Sequence, residues 1–154
     1  MTVPSYDVRT WSSAQPEEVF ALLADANTWK TWAGPMIMKS WFSKEGDPAP
    51  GGVGAVRRLG ARGFATREEI TEYDPPHYLA YTILGKAPMR DYRAIVSFDR
   101  HDGGTRITWA GAFEPVIPGT GRLLAWVLKR IVGGMAVRLG RYSSKHSAPS
   151  GQGQ

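Results

Sequence analysis

Apolar and polar residues alternate along Tyr6-Asp7-Val8-Arg9-Thr10-Trp11-Ser12, the period of a half-buried strand. Directly after it the period changes. Ser13 offers an N-cap, and Pro16, Glu17 and Glu18 suit a first helical turn, whose dipole favours acid. Val19, Phe20, Leu22 and Leu23 supply the apolar side of that helix. Asp25-Ala26-Asn27 interrupts it, and Thr28 to Trp32 predicts a second short helix with Trp29 and Trp32 on one face.

From Met36 the chain returns to strand patterning. Met36 to Ser43 reads as a strand, Lys44 to Gly54 as a Gly/Pro-rich loop, and Ala55 to Leu59 with Phe64 to Tyr73 as a pair joined through Gly60-Ala61-Arg62-Gly63. Asp74-Pro75-Pro76-His77 is a turn, because two prolines cannot both donate to a ladder. Tyr78 to Leu84, Tyr92 to Asp99 and Thr105 to Phe113 are the remaining strands, the last two joined by His101-Asp102-Gly103-Gly104. The longest helical pattern, about Gly119 to Arg141, carries Leu124, Leu128, Ile131, Met135 and Leu139 in one stripe. Gly133-Gly134 inside it weakens the helix by about 1 kcal/mol per glycine and predicts a kink or room for a ligand.

The order is strand, two short helices, six strands, long helix. A lone long helix after hairpin-linked strands buries its stripe most simply on the concave face of their sheet. The fold class predicted is α+β: a bent seven-stranded antiparallel sheet around a C-terminal helix. Residues 5–142 form one domain, and 143–154 a flexible polar tail.

Composition changes this picture little. The 154 residues are 42% hydrophobic and 21% charged, ordinary globular values, and no run suits a membrane span. The absence of cysteine excludes disulfides, thiolate metal sites and cysteine nucleophiles, and together with an N-terminus unlike a secretory signal it points to the cytoplasm. Charge is more telling once located. Residues 1–118 hold thirteen Lys+Arg against fourteen Asp+Glu, whereas 119–154 hold Arg122, Lys129, Arg130, Arg138, Arg141 and Lys145 with no acid. One basic helix fits a solvated face, an anionic membrane surface or an anionic ligand.

Four stretches in this order resemble the START-like (helix-grip) superfamily, within it the bacterial polyketide cyclase/dehydrase and lipid-transfer group. They are Ala14 to Phe20 leading to Asp25 and Trp29; Gly54 to Leu59; Arg67 to Pro76 running to Leu79-Ala80-Tyr81; and Gly103 to Trp109. The resemblance covers roughly residues 5–142 and rests on turn and strand chemistry. It implies a deep pocket between sheet and long helix for apolar or partly polar ligands. It transfers no catalytic residue.

Strand phase selects the residues facing the helix. The inward sets are Thr105, Ile107, Trp109, Gly111 and Phe113; Tyr92, Ala94, Val96 and Phe98; and Leu79, Tyr81 and Ile83. Tyr81, Tyr92 and Trp109 thus point inward, where each polar tip needs a partner. Arg57 shares the phase of Leu59, and Glu68 that of Ile70, so an inward Arg–Glu pair and an exposed edge with surface pairs are both open. The candidate ligand contacts are Arg57, Glu68, Tyr81, Tyr92, Trp109 and Met135. His77, His101 and His146 have no second ligand at metal-binding spacing, so no metal and no cofactor is expected. Inward aromatics also argue against nucleic acid.

Three functions fit. The first is binding or transfer of an apolar small molecule without catalysis. The second is an aromatase/cyclase or dehydratase in which Arg57, Glu68, Tyr81 or Tyr92 polarises a carbonyl or moves a proton. The third is a domain that docks an anionic partner, a membrane surface included, through its basic helix. Neither the ligand nor the oligomeric state is legible in the sequence.

Overall fold

A computed structural model describes residues 3–61 and 64–147. Strand β1 (Ser5–Ser12) leads into helix α1 (Pro16–Ala24), a single 3₁₀ turn (Ala26–Thr28) and the one-turn helix α2 (Trp29–Trp32). Strands β2 (Lys39–Lys44), β3 (Val56–Ala61), β4 (Phe64–Asp74), β5 (Tyr78–Leu84), β6 (Met89–His101) and β7 (Gly104–Pro115) follow, and helix α3 (Gly121–His146) comes last. The seven strands form one antiparallel sheet in the order β1-β7-β6-β5-β4-β3-β2. The expected architecture is the one observed.

Several boundaries move, each for a local reason. Helix α1 is capped by Gln15 rather than Ser13, with the Gln15 backbone N–H donating to Glu18 Oε1 at 3.5 Å. The Ser12 hydroxyl takes the neighbouring Ala14 N–H at 3.1 Å, which holds Ser13 outside the helix. Strand β2 begins at Lys39, so Met36 and Ile37 belong to the connection before it. Strand β3 runs through Gly60 and Ala61, both expected in a turn; Arg62 and Gly63 lie outside the described residues. In the β6–β7 hairpin, positive φ falls on Asp102 and Gly103, while Gly104 already belongs to the ladder. Gly104 is needed there for space, since a Cβ would stand 2.1 Å from the Ser12 carbonyl oxygen.

Helix α3 departs most from expectation. It continues without a break through Gly133-Gly134 and on to His146, so residues 143–146 are helical rather than tail; 148–154 lie outside the described residues. Ser143 explains the extension. It is buried, its hydroxyl lies 2.6 Å from that of Ser12, and it also reaches the Leu139 carbonyl at 2.7 Å. The buried face from mid-helix onward is Val132, Met135, Ala136, Leu139, Gly140 and Ser143, which shares only Met135 and Leu139 with the expected stripe. Small residues let the helix approach β1: a Cβ on Gly133 would meet Val8 at 3.7 Å, and one on Gly140 the Trp11 carbonyl oxygen at 3.0 Å. The expected stripe is therefore turned aside. Leu139 and Met135 are buried, Leu124 and Leu128 half-buried, and Ile131 is 41% exposed.

The core is continuous beneath α1, α2 and α3. Phe20 of α1 meets Tyr73 and Phe98 edge-on at 5.4 and 5.5 Å, and Trp29 meets Trp109 edge-on at 6.0 Å. Because α3 packs chiefly on the β1–β7 side of the sheet, it stands away from β4 to β6. A cavity remains between them.

Candidate functional site

That cavity has a volume of about 330 Å³, at the lower end of small-molecule sites (about 300–1,000 Å³). Its helix wall is Leu128, Ile131 and Met135 of the stripe that α3 turns aside, together with the buried Val132. The sheet wall is Leu59, Thr66, Glu68, Tyr81, Ile83, Met89 and Tyr92, and Met36 with Ile37 closes one end. Among the described residues the lining is overwhelmingly apolar and holds no Lys, Arg or His. Its polar side chains are Glu68, Tyr81, Tyr92 and Thr66, the last with its hydroxyl turned to the Leu59 carbonyl.

Strand register places these groups. Arg57 of β3 lies directly opposite Glu68 of β4, and Ile70 opposite Tyr81 of β5. Tyr92 keeps the inward phase of Ala94 and Val96, and a bulge between Arg90 and Arg93, with Asp91 at φ 52°, brings Met89 round to the same side, so that Met89 and Tyr92, three apart, both reach the cavity. Strict alternation could not give that pairing.

Behind the lining is a second layer. Arg57 is fully buried and donates from Nη2 to Glu68 Oε1 at 2.7 Å and from Nη1 to the Leu23 carbonyl at 2.8 Å. Its guanidinium lies over the Trp29 ring at 4.7 Å and over the Tyr81 ring at 5.2 Å. Trp109 Nε1 donates to the Tyr81 hydroxyl at 3.0 Å. Of the six residues singled out from the sequence, Glu68, Tyr81, Tyr92 and Met135 line the cavity. Arg57 and Trp109 do not; they hold Glu68 and Tyr81 from behind.

Tyr6 is the member of this cluster that the candidate set lacks. Its hydroxyl bonds that of Tyr92, and the approach requires Gly111, where a Cβ would stand 2.5 Å from the Tyr6 ring. The signal was present, since Tyr6 shares the inward phase of Val8 and Ser12 and Gly111 lies opposite it in register. Burial raises the pKa of Tyr6, Tyr81 and Tyr92, the last to about 12, so all three remain neutral hydroxyls at ordinary pH. Burial also holds the Glu68 carboxyl above the usual carboxylate range, with Arg57 pulling it back.

A wider depression of about 470 Å³ lies between α1 and the Pro75-Pro76 turn, but no buried polar group lines it. Among the described residues no group of three or more His, Asp and Glu side chains gathers where it could hold a metal ion. Among the described residues no helix is long and apolar enough to cross a membrane.

Comparison with known proteins agrees with this architecture. The model of a family described as "Polyketide cyclase / dehydrase and lipid transport" matches residues 5–143. Uncharacterized proteins of Mycobacterium tuberculosis and Mycobacterium bovis are each 30% identical over 130 residues, spanning 76% of this chain and 73% of the relative. A START superfamily protein from Mycobacterium smegmatis superposes with a TM-score of 0.75 at 12% identity, covering 92% of this chain and 97% of its own. A protein from Thermobifida fusca gives 0.71 at 23% identity, covering 94% and 97%. At these identities the structural matches speak for the fold alone.

Proposed function

Since this chain belongs to the polyketide cyclase/dehydrase and lipid transport family, we propose that it binds and carries an apolar small molecule in the cavity between α3 and strands β4 to β6. The observation that carries this reading is the lining itself: a concave apolar wall with polarity gathered at one place, the usual form of a ligand site. Turnover is favoured less. Among the described residues Glu68 is the one carboxyl group of the lining and is already paired with Arg57, and the hydroxyls beside it, Tyr81 and Tyr92, are engaged with Trp109 and Tyr6. The uncharged fluorophore N-phenyl-1-naphthylamine tests the reading. It should bind the wild type at a single site and fail to bind a folded Leu128→Trp variant, whose indole fills the space. No binding to the wild type, or equal binding to the filled variant, overturns the proposal.

One observation favours delivery at an anionic membrane. The outward side of α3 and the connection before it expose Ile117, Leu123 and Trp126 at 60%, 62% and 59%. Arg122, Lys129 and Arg130 flank them, and no acid occurs after Glu114. Such a face suits the headgroup boundary of a negatively charged bilayer. Vesicles containing phosphatidylglycerol should sediment the protein in a salt-sensitive manner, and Leu123→Ser with Trp126→Ser should abolish this. Equal behaviour with neutral phosphatidylcholine vesicles would count against it.

A further inference from the structure

Resting on the carrier reading, we propose that the polar end of the cavity receives a hydroxyl group, and that the preferred ligand is an uncharged apolar alcohol. The recognising atom is Glu68 Oε2. Oε1 is taken by Arg57 at 2.7 Å, whereas among the described residues no hydrogen bond reaches Oε2. Glu68 is only 7% exposed, and it lines the cavity, so this free oxygen faces the ligand space.

In its carboxylate form, paired with Arg57, Glu68 can only accept hydrogen bonds. In an apolar cavity the open oxygen needs a donor, from water or from the ligand. A ligand without a donor displaces that water and leaves a buried charged acceptor unsatisfied, which opposes binding. An alcohol restores the bond. A carboxylate ligand fares worst, because it sets a second anion beside Glu68 and, among the described residues, the lining has no free cation to receive it. Arg57 cannot serve: it is fully buried, its Nη atoms are taken by Glu68 and the Leu23 carbonyl, its unpartnered Nε is shut off from the surface, and the Trp29 and Tyr81 rings lie against its guanidinium. The arginine thus fixes the charge of the receptor without touching the ligand. Tyr81 and Tyr92 line the same wall, their hydroxyls already bonded to Trp109 and Tyr6, and keep lone-pair capacity toward the alcohol.

Three probes of one shape separate these chemistries: 1-naphthalenemethanol, its methyl ether and 1-naphthoate, measured by calorimetry at pH 8. The wild type should bind the alcohol about tenfold or more tightly than the ether, the size of a hydrogen bond to a charged group, and the carboxylate most weakly. Arg57→Met with Glu68→Leu removes the pair without leaving a lone buried charge. In that variant, once its cooperative melting is verified, the ether should bind as before and the preference for the alcohol should vanish. Glu68→Gln, which keeps the shape, should reduce the preference without abolishing it. Equal binding of alcohol and ether to the wild type, or a preference that survives the double variant, overturns the hydroxyl receptor while leaving the carrier reading intact. Failure of all three probes to bind overturns both.

Discussion

Trp109 donates its indole N–H to the Tyr81 hydroxyl across 3.0 Å, from a strand two removed in the sheet and from behind the cavity wall. The indole is wholly buried and touches no ligand space, so its influence on binding runs through Tyr81. Trp109→Phe keeps most of the packing and deletes the donor. Stability should fall by about 1 kcal/mol or somewhat more, and binding of an apolar probe should weaken by up to about tenfold as Tyr81 loses its anchor. A folded Trp109→Phe protein with unchanged affinity would show that Tyr81 is held by packing alone.

The Arg57–Glu68 pair should respond asymmetrically to substitution. Arg57→Met leaves Glu68 as an uncompensated acid in an apolar wall, and a loss of about 3–5 kcal/mol is expected in chemical denaturation. Adding Glu68→Leu should recover most of it, because the paired desolvation penalty disappears with the pair. If the double variant is no more stable than Arg57→Met, Arg57 acts mainly through its contacts with the Trp29 and Tyr81 rings.

Glu68 also gives the stability a definite pH dependence. Burial raises its folded-state pKa above the ordinary 4.5, with Arg57 opposing. The folded form therefore binds more protons than the unfolded chain between those two values. The associated stabilisation is fully present below 4.5 and is lost as pH rises through the raised folded value. The difference in melting temperature between wild type and Glu68→Gln should shift against the wild type across that window and then level off. A difference independent of pH would mean that Arg57 cancels the desolvation.

Gly133 and Gly134 lie in unbroken helix, and alanine fits at both. A Cβ at 133 would meet Val8 at 3.7 Å; at 134 it would meet Arg138 Nη1 at 3.4 Å and Met36 Sδ at 3.6 Å. Each Gly→Ala change should stabilise the protein by up to about 1 kcal/mol and slow amide exchange in the surrounding turn. Gly140→Ala should do the opposite, since its Cβ would press to 3.0 Å on the rigid Trp11 carbonyl. Stabilisation at 140, or destabilisation at 133, would contradict this packing of α3 on β1.

What the sequence determined by itself was whatever depends on local period. Alternation in β1, β5, β6 and β7 set the inward faces, down to Trp109, Tyr92 and the shared phase of Arg57 with Leu59 and Glu68 with Ile70. The 3.6-residue stripe announced α3, and the element order with its turn chemistry was enough to suggest the fold. Two kinds of fact lay beyond it. Whether Arg57 and Glu68 formed a buried pair depended on the β3–β4 register and on Leu23, Trp29 and Tyr81 arriving from distant segments. Whether the stripe of α3 would fill the core or line a cavity depended on the helix's rotation. That rotation is set by Gly133, Ala136 and Gly140 meeting β1 and by Ser143 bonding Ser12. A hydrophobic period shows that a face will be covered. Only close contact between distant segments decides whether protein or a ligand covers it.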